Sequence, residues 1–496
     1  MSRLILRFHF LVILVLLCEI MTACMLGPDF HRPKAPPVKN YTENHLPTKT
    51  ASIRSPGTAG RAQYFSLGQN LPADWWYLFH SKALNQLIET GLASSPNLAA
   101  AQAALRQAKE ALNAQIGTSL YPAVSAQFSA SRQKFSDATL GFSNGGNPVF
   151  NLFNPSLNIA YTLDIFGANR RQIEALQAQV DYQAYQLQAS YLTLTANIAT
   201  IAITISSLKA QIQATQELIH SQAETLAIIK NQYHLGGSSG TAVLSQETLL
   251  AQTRATLPPL EQSLAQSLHV LAVLTGSFPS ATVLPPIELD RLTLPSHLPL
   301  QLPSALTRQR PDIQAAEALL HAASAQIGVA TANLFPQLTL NGGYGWESNT
   351  ASALFRSHSV AWSLGGQLLQ PIFYGGALRA KRREAIAAYE QAEAEYRQTV
   401  LQAFRNVADS LRALENDAEA FRAQKQAEIA AKNTLQLIKQ QYHLGGVSYL
   451  SLLDAERQYQ QTKIARIQSQ ASRYNDTIAL FQALGGGWWS RSANGG

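Results

Sequence analysis

Apolar residues recur every seven positions along two long stretches of the chain. The first series is Val180, Leu187, Leu194, Ile201 and Leu208, and the second is Val400, Val407, Leu414 and Phe421. A mean spacing of 3.5 residues is typical of helices that supercoil around one another. The pattern predicts long helices over residues 168–235 and 376–444. At ~1.5 Å per residue each would be about 100 Å long, and no compact domain contains such a helix.

Both long stretches end with the same six residues, Gln-Tyr-His-Leu-Gly-Gly. The first copy is Gln232–Gly237 and the second, 209 residues later, is Gln441–Gly446. Glycine adopts the left-handed conformation needed just past the last turn of a helix, so each copy is predicted to end a helix. A further helical pattern follows each copy and predicts return helices over 242–274 and 448–484. Pro258-Pro259 predicts a kink or break in the first return helix.

A shorter period precedes each long helix. Val124, Ala126, Phe128 and Ala130 alternate with polar residues, and similar alternation occurs later. A two-residue period predicts strands, here arranged as β-hairpins over 123–166 and 337–370, with four strands in the chain. Open sheet edges are not tolerated in hydrocarbon, and known membrane barrels begin at about eight strands. The barrel is therefore expected to close only on oligomerisation, with eight strands from two chains or twelve from three.

The order of patterns predicts an internally duplicated chain. The first repeat covers residues 73–276 and the second covers 310–485; each contains a helix, a β-hairpin, a long helix and a return helix. A proline-rich connector over 277–309 joins them, and residues 486–496 form a tail without a structural signal.

The beginning of the chain resembles an export signal. Arg3 and Arg7 precede the apolar run Phe8–Leu17, and small residues follow, so residues 1–23 are predicted to be a lipoprotein signal peptide. Met21–Cys24 resembles a lipobox, which predicts a covalent lipid on Cys24. The alternative is plain signal cleavage beside an incidental cysteine. Residues 24–72 are rich in Pro, Gly, Ser and Thr and are predicted to form an acylated, extended tether.

Composition and charge exclude several classes of protein. Charged residues make up 14% of the chain and the mean hydropathy is −0.06, which disfavours both a polytopic helical membrane protein and a disordered one. The net charge is a modest +7, and the Lys and Arg residues are scattered, with Lys381–Arg383 as the one tight cluster. Nucleic acid is therefore not expected as a partner.

Enzymatic and metal-binding patterns are weak. Gly236–Gly240 matches the nucleophile-elbow pattern G-x-S-x-G, but it follows a predicted helix rather than a strand, and the second copy loses the pattern. We therefore expect no catalysis. His234 and His443 could form a metal ring, but exposed turn residues are the stronger interpretation. No metal site and no cofactor other than the lipid on Cys24 is expected.

These features together resemble the TolC-like outer-membrane efflux proteins, specifically the lipidated NodT/OprM-type group. The stretches that carry the resemblance are Cys24–Pro33, Asp74–Leu98, Asp164–Gly167, Gln370–Phe373 and Gly445–Arg457. The resemblance implies a mixed α and β membrane protein: a trimeric twelve-stranded β-barrel continued by a periplasmic α-helical coiled-coil barrel. It also implies a location in the outer membrane, a periplasmic adaptor protein and an inner-membrane pump, usually of the RND class.

The resemblance assigns roles to residues near the two turns. Leu450 and Asp454 lie four apart on one helix face, and three copies would form an apolar ring and an acidic ring that close the periplasmic end. Arg457 belongs to the same segment, and the alternative is that Asp454 merely pairs with Arg457 at the surface. Tyr442 resembles a tyrosine that locks the closure by bonding to the neighbouring hairpin, with Thr241 as its partner. The residues assigned to this lock and to adaptor docking are Tyr233, Gly236, Gly237, Thr241, Tyr442, Gly445 and Gly446.

The predicted function is that of a passive exit duct for drugs or other small toxic compounds. Three alternatives remain at the sequence level. The same architecture serves type I protein secretion, a related duct could carry heavy-metal cations, and a lipid-anchored coiled-coil scaffold would explain the helices but not the strands.

Overall fold

The computed structural model describes residues 25–43, 47–55, 57–134, 149–280 and 287–490. Cys24 and the predicted signal peptide lie outside these described residues. The strands are β1 (Tyr64–Leu67), β2 (Ala123–Lys134), β3 (Val149–Leu163), β4 (His297–Leu300), β5 (Gln337–Trp346) and β6 (Val360–Leu369). The helices are α1 (Lys82–Ser94), α2 (Pro96–Leu120), α3 (Ala168–His234), α4 (Gly240–Leu274), α5 (Pro303–Gln309), α6 (Pro311–Ala332), α7 (Ala377–His443) and α8 (Tyr449–Ala483).

The chain divides into two compact units. The first contains an antiparallel sheet, with four strands in the order β2-β3-β5-β6 among the residues that the structure describes. Both predicted β-hairpins are therefore present. Strands β2 and β6 lie at the two edges of this sheet.

One face of the four-stranded sheet is apolar and exposed in the single chain. The register places Val124 opposite Ile159 and Tyr344 opposite Trp362, so these residues project from the same face. Large apolar side chains on this face are exposed: Val124, Phe128, Leu157, Ile159, Leu340, Tyr344, Trp362, Leu364 and Leu368. An exposed apolar face of this size in a folded sheet is typical of contact with lipid.

The residues that follow Cys24 are packed rather than extended into solvent. The Leu26 N–H donates to the Phe166 carbonyl at 3.2 Å, just after β3. The buried Arg171 guanidinium donates to Asp29 at 2.7 Å and to Glu174 at 2.7 Å. The ring of Phe30 stacks on His321 with centroids 4.3 Å apart. The predicted extended tether is therefore held against the folded chain in this part, where Asp29 is a counterion of Arg171.

The second unit contains the rest of the predicted tether, the connector and most of the helical hairpins. Strands β1 and β4, from the tether and the connector, pair in parallel. Buried Arg473 donates to the carbonyls of Ala59 and Arg61, and Trp75 and Phe79 pack on Phe481. The predicted tether and connector therefore supply backbone acceptors and a strand pair to a packed core. The Trp75–Trp76 pair is buried in it, as expected of packing anchors.

The helical hairpins follow the predicted bounds closely. Helices α3 and α7 contain 67 residues each, and α4 and α8 contain 35 each. We call α3 with α4 the first helical hairpin and α7 with α8 the second. One window of α3 has a mean hydropathy of 1.4, enough in length and composition to cross a membrane, but 56% of it is buried in the chain.

Two sequence expectations about the helix ends are corrected. Helix α4 continues through Pro258 and Pro259, so of the predicted kink or break, the break does not occur. Two adjacent prolines remove only two backbone hydrogen bonds of the helix. Buried residues before and after them pack against the rest of the chain and stabilise the 35-residue helix. The predicted tail is also structured as far as residue 490, because Trp488 donates its indole N–H to the Gln309 carbonyl at 2.7 Å.

Candidate functional site

Both helical hairpins turn through the same hydrogen-bonded motif. The Gly236 N–H donates to the Tyr233 carbonyl at 3.0 Å, and the Gly237 N–H donates to the Gln232 carbonyl at 2.7 Å. The second hairpin repeats both bonds from Gly445 and Gly446 at 3.0 and 2.8 Å. Gly236 and Gly445 both have φ of 75°, which a side chain would strain. Each six-residue copy is therefore a Schellman stop, as its glycines predict.

A serine starts each return helix. The Ser239 hydroxyl accepts from the Ala242 N–H at 3.2 Å, and the Ser448 hydroxyl accepts from the Ser451 N–H at 3.3 Å. These caps satisfy backbone donors that would otherwise lack a partner. The G-x-S-x-G match therefore lies in a turn between two helices and not at the end of a strand, where a nucleophile elbow belongs.

Of the side chains predicted to dock a partner, Tyr233 is half exposed and Thr241 is exposed, whereas Tyr442 is partly buried. Leu235 and Leu444, which were not predicted as docking residues, are each 87% exposed. Apolar side chains this accessible at a helix end are available to pack against another protein.

The predicted gate residues are exposed, and two of them contact each other. Arg457 donates to Asp454 at 2.8 Å, three positions apart on α8, and Leu450 lies in solvent one turn before Asp454. The structure thus contains the surface pair that was the alternative to an acidic ring. Exposed pairs of this kind contribute about 0–1 kcal/mol, so the contact does not prevent Asp454 from facing other copies. The rings stay a prediction, because they require those copies.

The predicted lock residues do not contact each other within the chain. The Thr241 hydroxyl bonds to the Ser239 hydroxyl at 2.9 Å, and the Tyr442 ring packs on Tyr449 with centroids 5.7 Å apart. Among the described residues, the Tyr442 hydroxyl makes no hydrogen bond. A Tyr442–Thr241 bond between copies stays a prediction.

A hydrogen bond between the two helical hairpins near the turns runs from Tyr449 instead. Its hydroxyl donates to Gln246 Oε1 on α4, and Gln246 Nε2 donates to the Gln222 carbonyl at 2.8 Å. Gln246 is fully buried, and burial raises the pKa of Tyr449. Sequence reasoning missed this pair. The available signal was that the duplicated turns differ at this position, where Gly240 of the first copy becomes Tyr449 in the second.

An ion pair is duplicated together with the turns. Lys230 and Glu247 of the first hairpin are 2.7 Å apart, and both side chains are more than 40% exposed. The corresponding residues of the second hairpin, 209 positions later, are Lys439 and Glu456, at 3.4 Å. The Glu456 side chain is only 2% exposed, and burial raises its pKa despite the nearby Lys439 cation.

The chain is similar to outer-membrane proteins over most of its length. The family described as outer membrane efflux protein matches residues 87–277 and 302–486. The pyoverdine export outer membrane protein OpmQ of Pseudomonas aeruginosa is 30% identical over 439 residues, covering 86% of this chain and 91% of OpmQ. The toluene efflux pump outer membrane protein TtgC of Pseudomonas putida is 29% identical over 477 residues, covering 95% and 94%. The solved outer-membrane channel OprN matches with a TM-score of 0.81 and 28% identity, covering 94% of this chain and all of OprN.

Proposed function

Because the chain belongs to the outer membrane efflux protein family, we propose that three copies assemble into a trimeric exit channel for small toxic compounds. Members of this family are outer-membrane channels of efflux systems. The chain is such a channel, located in the outer membrane and extending into the periplasm.

The observation that carries the trimer is the open four-stranded sheet. Its apolar face is exposed, yet β2 and β6 each pair on one side only among the described residues. Unpaired backbone groups in hydrocarbon cost several kcal/mol each, so both edges need partners. Joining β6 of one copy to β2 of the next satisfies both edges with a single contact. Three repeats give twelve strands, and the same threefold rotation repeats Leu450 and Asp454 three times around one axis.

The proposed cargo follows from the absence of selective chemistry in a passive duct. One relative is named for pyoverdine export and another for toluene efflux, and these compounds share little structure. A duct that need not recognise its cargo accommodates both. A periplasmic adaptor, docked on the exposed turns, and an inner-membrane pump of the RND class would supply selection and energy.

The proposed lipid on Cys24 fits the way the following residues are held. Met25 packs against Gly167, and Leu26 is bonded to Phe166, both at the end of a membrane strand. A lipid attached to the preceding residue would enter the membrane next to the sheet. Replacing Cys24 with Ser should abolish incorporation of labelled palmitate while trimers still form. Undiminished labelling would contradict the assignment.

Channel recordings test the main proposal. The purified chain should migrate as a heat-resistant trimer and give discrete single-channel currents in a planar bilayer. Replacing both Leu450 and Asp454 with Ala should raise the conductance, because both proposed rings are removed. The exposed pair Leu437 and Ser245, changed to Ala together, is the matched control and should leave the conductance unchanged.

The possible results separate the parts of the proposal. A folded monomer without currents would overturn the channel assembly. Trimers whose conductance is unaffected by the Leu450 and Asp454 changes would refute the gate alone. In cells lacking their own exit duct, restored resistance to organic toxicants would support the proposed cargo, whereas resistance to copper or silver salts alone would replace it with cations.

A further inference from the structure

The duplicated Lys–Glu pair has been placed in two different environments. In the first hairpin, Lys230 and Glu247 form a close, solvent-exposed pair. In the second hairpin, Lys439 lies 3.4 Å from Glu456 Oε1, and neither carboxylate oxygen makes a well-formed hydrogen bond among the described residues. A buried carboxylate held by one long contact is costly, and its position in the repeat does not explain the burial, because the equivalent Glu247 is exposed.

Glu456 lines a cavity of about 200 Å³ between the two helical hairpins. Residues of α3, α7 and α8 form its wall, among them Glu217, Lys439, Tyr459 and Lys463. The cavity is polar enough and large enough to hold water. Moving α7 and α8 away from α3 would open it and expose Glu456.

The charged groups around the cavity cancel one another. Lys463 reaches across to Glu217 at 2.7 Å and holds the α8 side of the cavity to α3. Lys439, from α7, faces Glu456, and the phenol groups of Tyr449 and Tyr459 are the other titratable groups nearby. Two lysines and two ionised glutamates leave no net charge, so the cavity has no excess negative charge that would attract a metal cation. A proton on Glu456 instead removes the cost of keeping its ionised carboxylate buried 3.4 Å from Lys439.

The direction of the pH effect follows from burial. Burial raises the pKa of Glu456, and Lys439 only partly opposes this. The packed state therefore binds the Glu456 proton more tightly than an opened state in which the carboxylate is hydrated. Packing of the hairpins gains stability as the pH falls through the raised pKa, and loses it as the pH rises.

We propose that Glu456 is a positioning residue of the channel, whose protonation tightens the second helical hairpin against α3 and whose ionisation loosens it. This inference rests on the proposed channel function. Because one proton per chain is involved, the ratio of loosened to packed hairpins should change by up to tenfold per pH unit in the titrating range.

Single-channel recording as a function of pH tests this role. In the wild-type channel the open probability should rise with pH above about 4.5, the ordinary value for a glutamate. In Glu456→Gln, which is neutral at every pH, it should stay at the acid limit. Lys439→Gln removes the cation that opposes the shift, so its transition should move to higher pH. Glu247→Gln, the equivalent change in the first hairpin, should keep the wild-type profile.

Asp454 carries a second carboxylate half a turn away on the same helix, so the recordings are repeated in a background of Asp454→Asn. The Glu456 transition should persist there. The protection factors for amide hydrogen exchange of residues 449–463 in the full-length trimer, corrected for the intrinsic exchange rate at each pH, should rise on acidification in the wild type and be independent of pH in Glu456→Gln. An unchanged wild-type profile in Glu456→Gln, by both measurements, would overturn the inference. A chain that gives no currents at all would instead overturn the proposed channel function.

Discussion

The Tyr449–Gln246 bond makes a quantitative prediction about how the two helical hairpins are held together. Replacing Tyr449 with Phe removes the donor but keeps the ring that packs on Tyr442. Gln246 is fully buried, so its Oε1 would be left without a partner or water. An orphaned buried acceptor costs about 1–3 kcal/mol, which shifts the equilibrium between docked and separated hairpins by roughly 5- to 150-fold.

The measurement is amide hydrogen exchange at residues 240–250 and 449–459 in the full-length protein, together with single-channel open probability. Both should increase in Tyr449→Phe. The matched control is Tyr442→Phe. The Tyr442 hydroxyl has no partner among the described residues, so if the Tyr449–Gln246 bond holds the hairpins together, this variant should change hydrogen exchange and open probability little. A large effect of Tyr442→Phe would instead favour the lock between copies that the family resemblance implies.

A double-mutant cycle separates the bond from general damage to the site. Changing Gln246 to Leu together with Tyr449→Phe removes both polar partners at once, and such a pair of changes is often nearly neutral. The double variant should therefore be less perturbed than Tyr449→Phe alone. A double variant that exchanges faster than either single variant would refute the reasoning.

Three further predictions concern the stability of the second hairpin and its surroundings. Gly445→Ala should destabilise the turn by about 1–2 kcal/mol, because the residue has φ of 75°, whereas Gly446→Ala should cost less; thermal unfolding followed by circular dichroism compares them. Burial, above all, raises the pKa of Asp476 to about 8, so its contribution to stability is complete below about pH 4 and is lost as the pH rises through 8. Asp476→Asn should therefore flatten the fall in melting temperature between pH 6 and 9, and an unchanged slope would contradict this origin. Trp488→Phe should cost about 1 kcal/mol in the same thermal assay by removing the bond to the Gln309 carbonyl, and an unaltered melting temperature would show that this contact is dispensable.

Periodicity was sufficient to predict the four strands of the antiparallel sheet, the long helices and the turns, but not β1 and β4, which lie in the supposed tether and connector. Alternation around Phe128 indicated a one-sided strand, and the glycines at 236 and 445 indicated helix stops, because both signals depend on local geometry alone. Contacts between residues far apart in the sequence produce no comparable local pattern. Arg171 meets Asp29 across 142 positions, so the packing of the supposed tether could not be inferred.

The candidate site was predicted at the level of segments but not of individual contacts. The sequence located the turns and the exposed segment around Leu450. It could not show that Tyr449, rather than Tyr442, bridges the hairpins, because that depends on how α8 is rotated against α4. It also could not distinguish Glu456 from Glu247, since their burial is set by neighbouring helices and not by their own position in the repeat.

The equal lengths of the paired helices limit how such a chain can change during evolution. Both long helices have 67 residues and both return helices have 35, so each turn is the same number of residues from the start of its long helix and from the end of its return helix. Deleting one heptad from a single hairpin would retract its turn by about 10 Å relative to the other. A partner protein that binds both turns at once would then lose its contacts with the retracted turn. Insertions and deletions in these helices should consequently be inherited as matched pairs, in multiples of seven, in both halves of the chain.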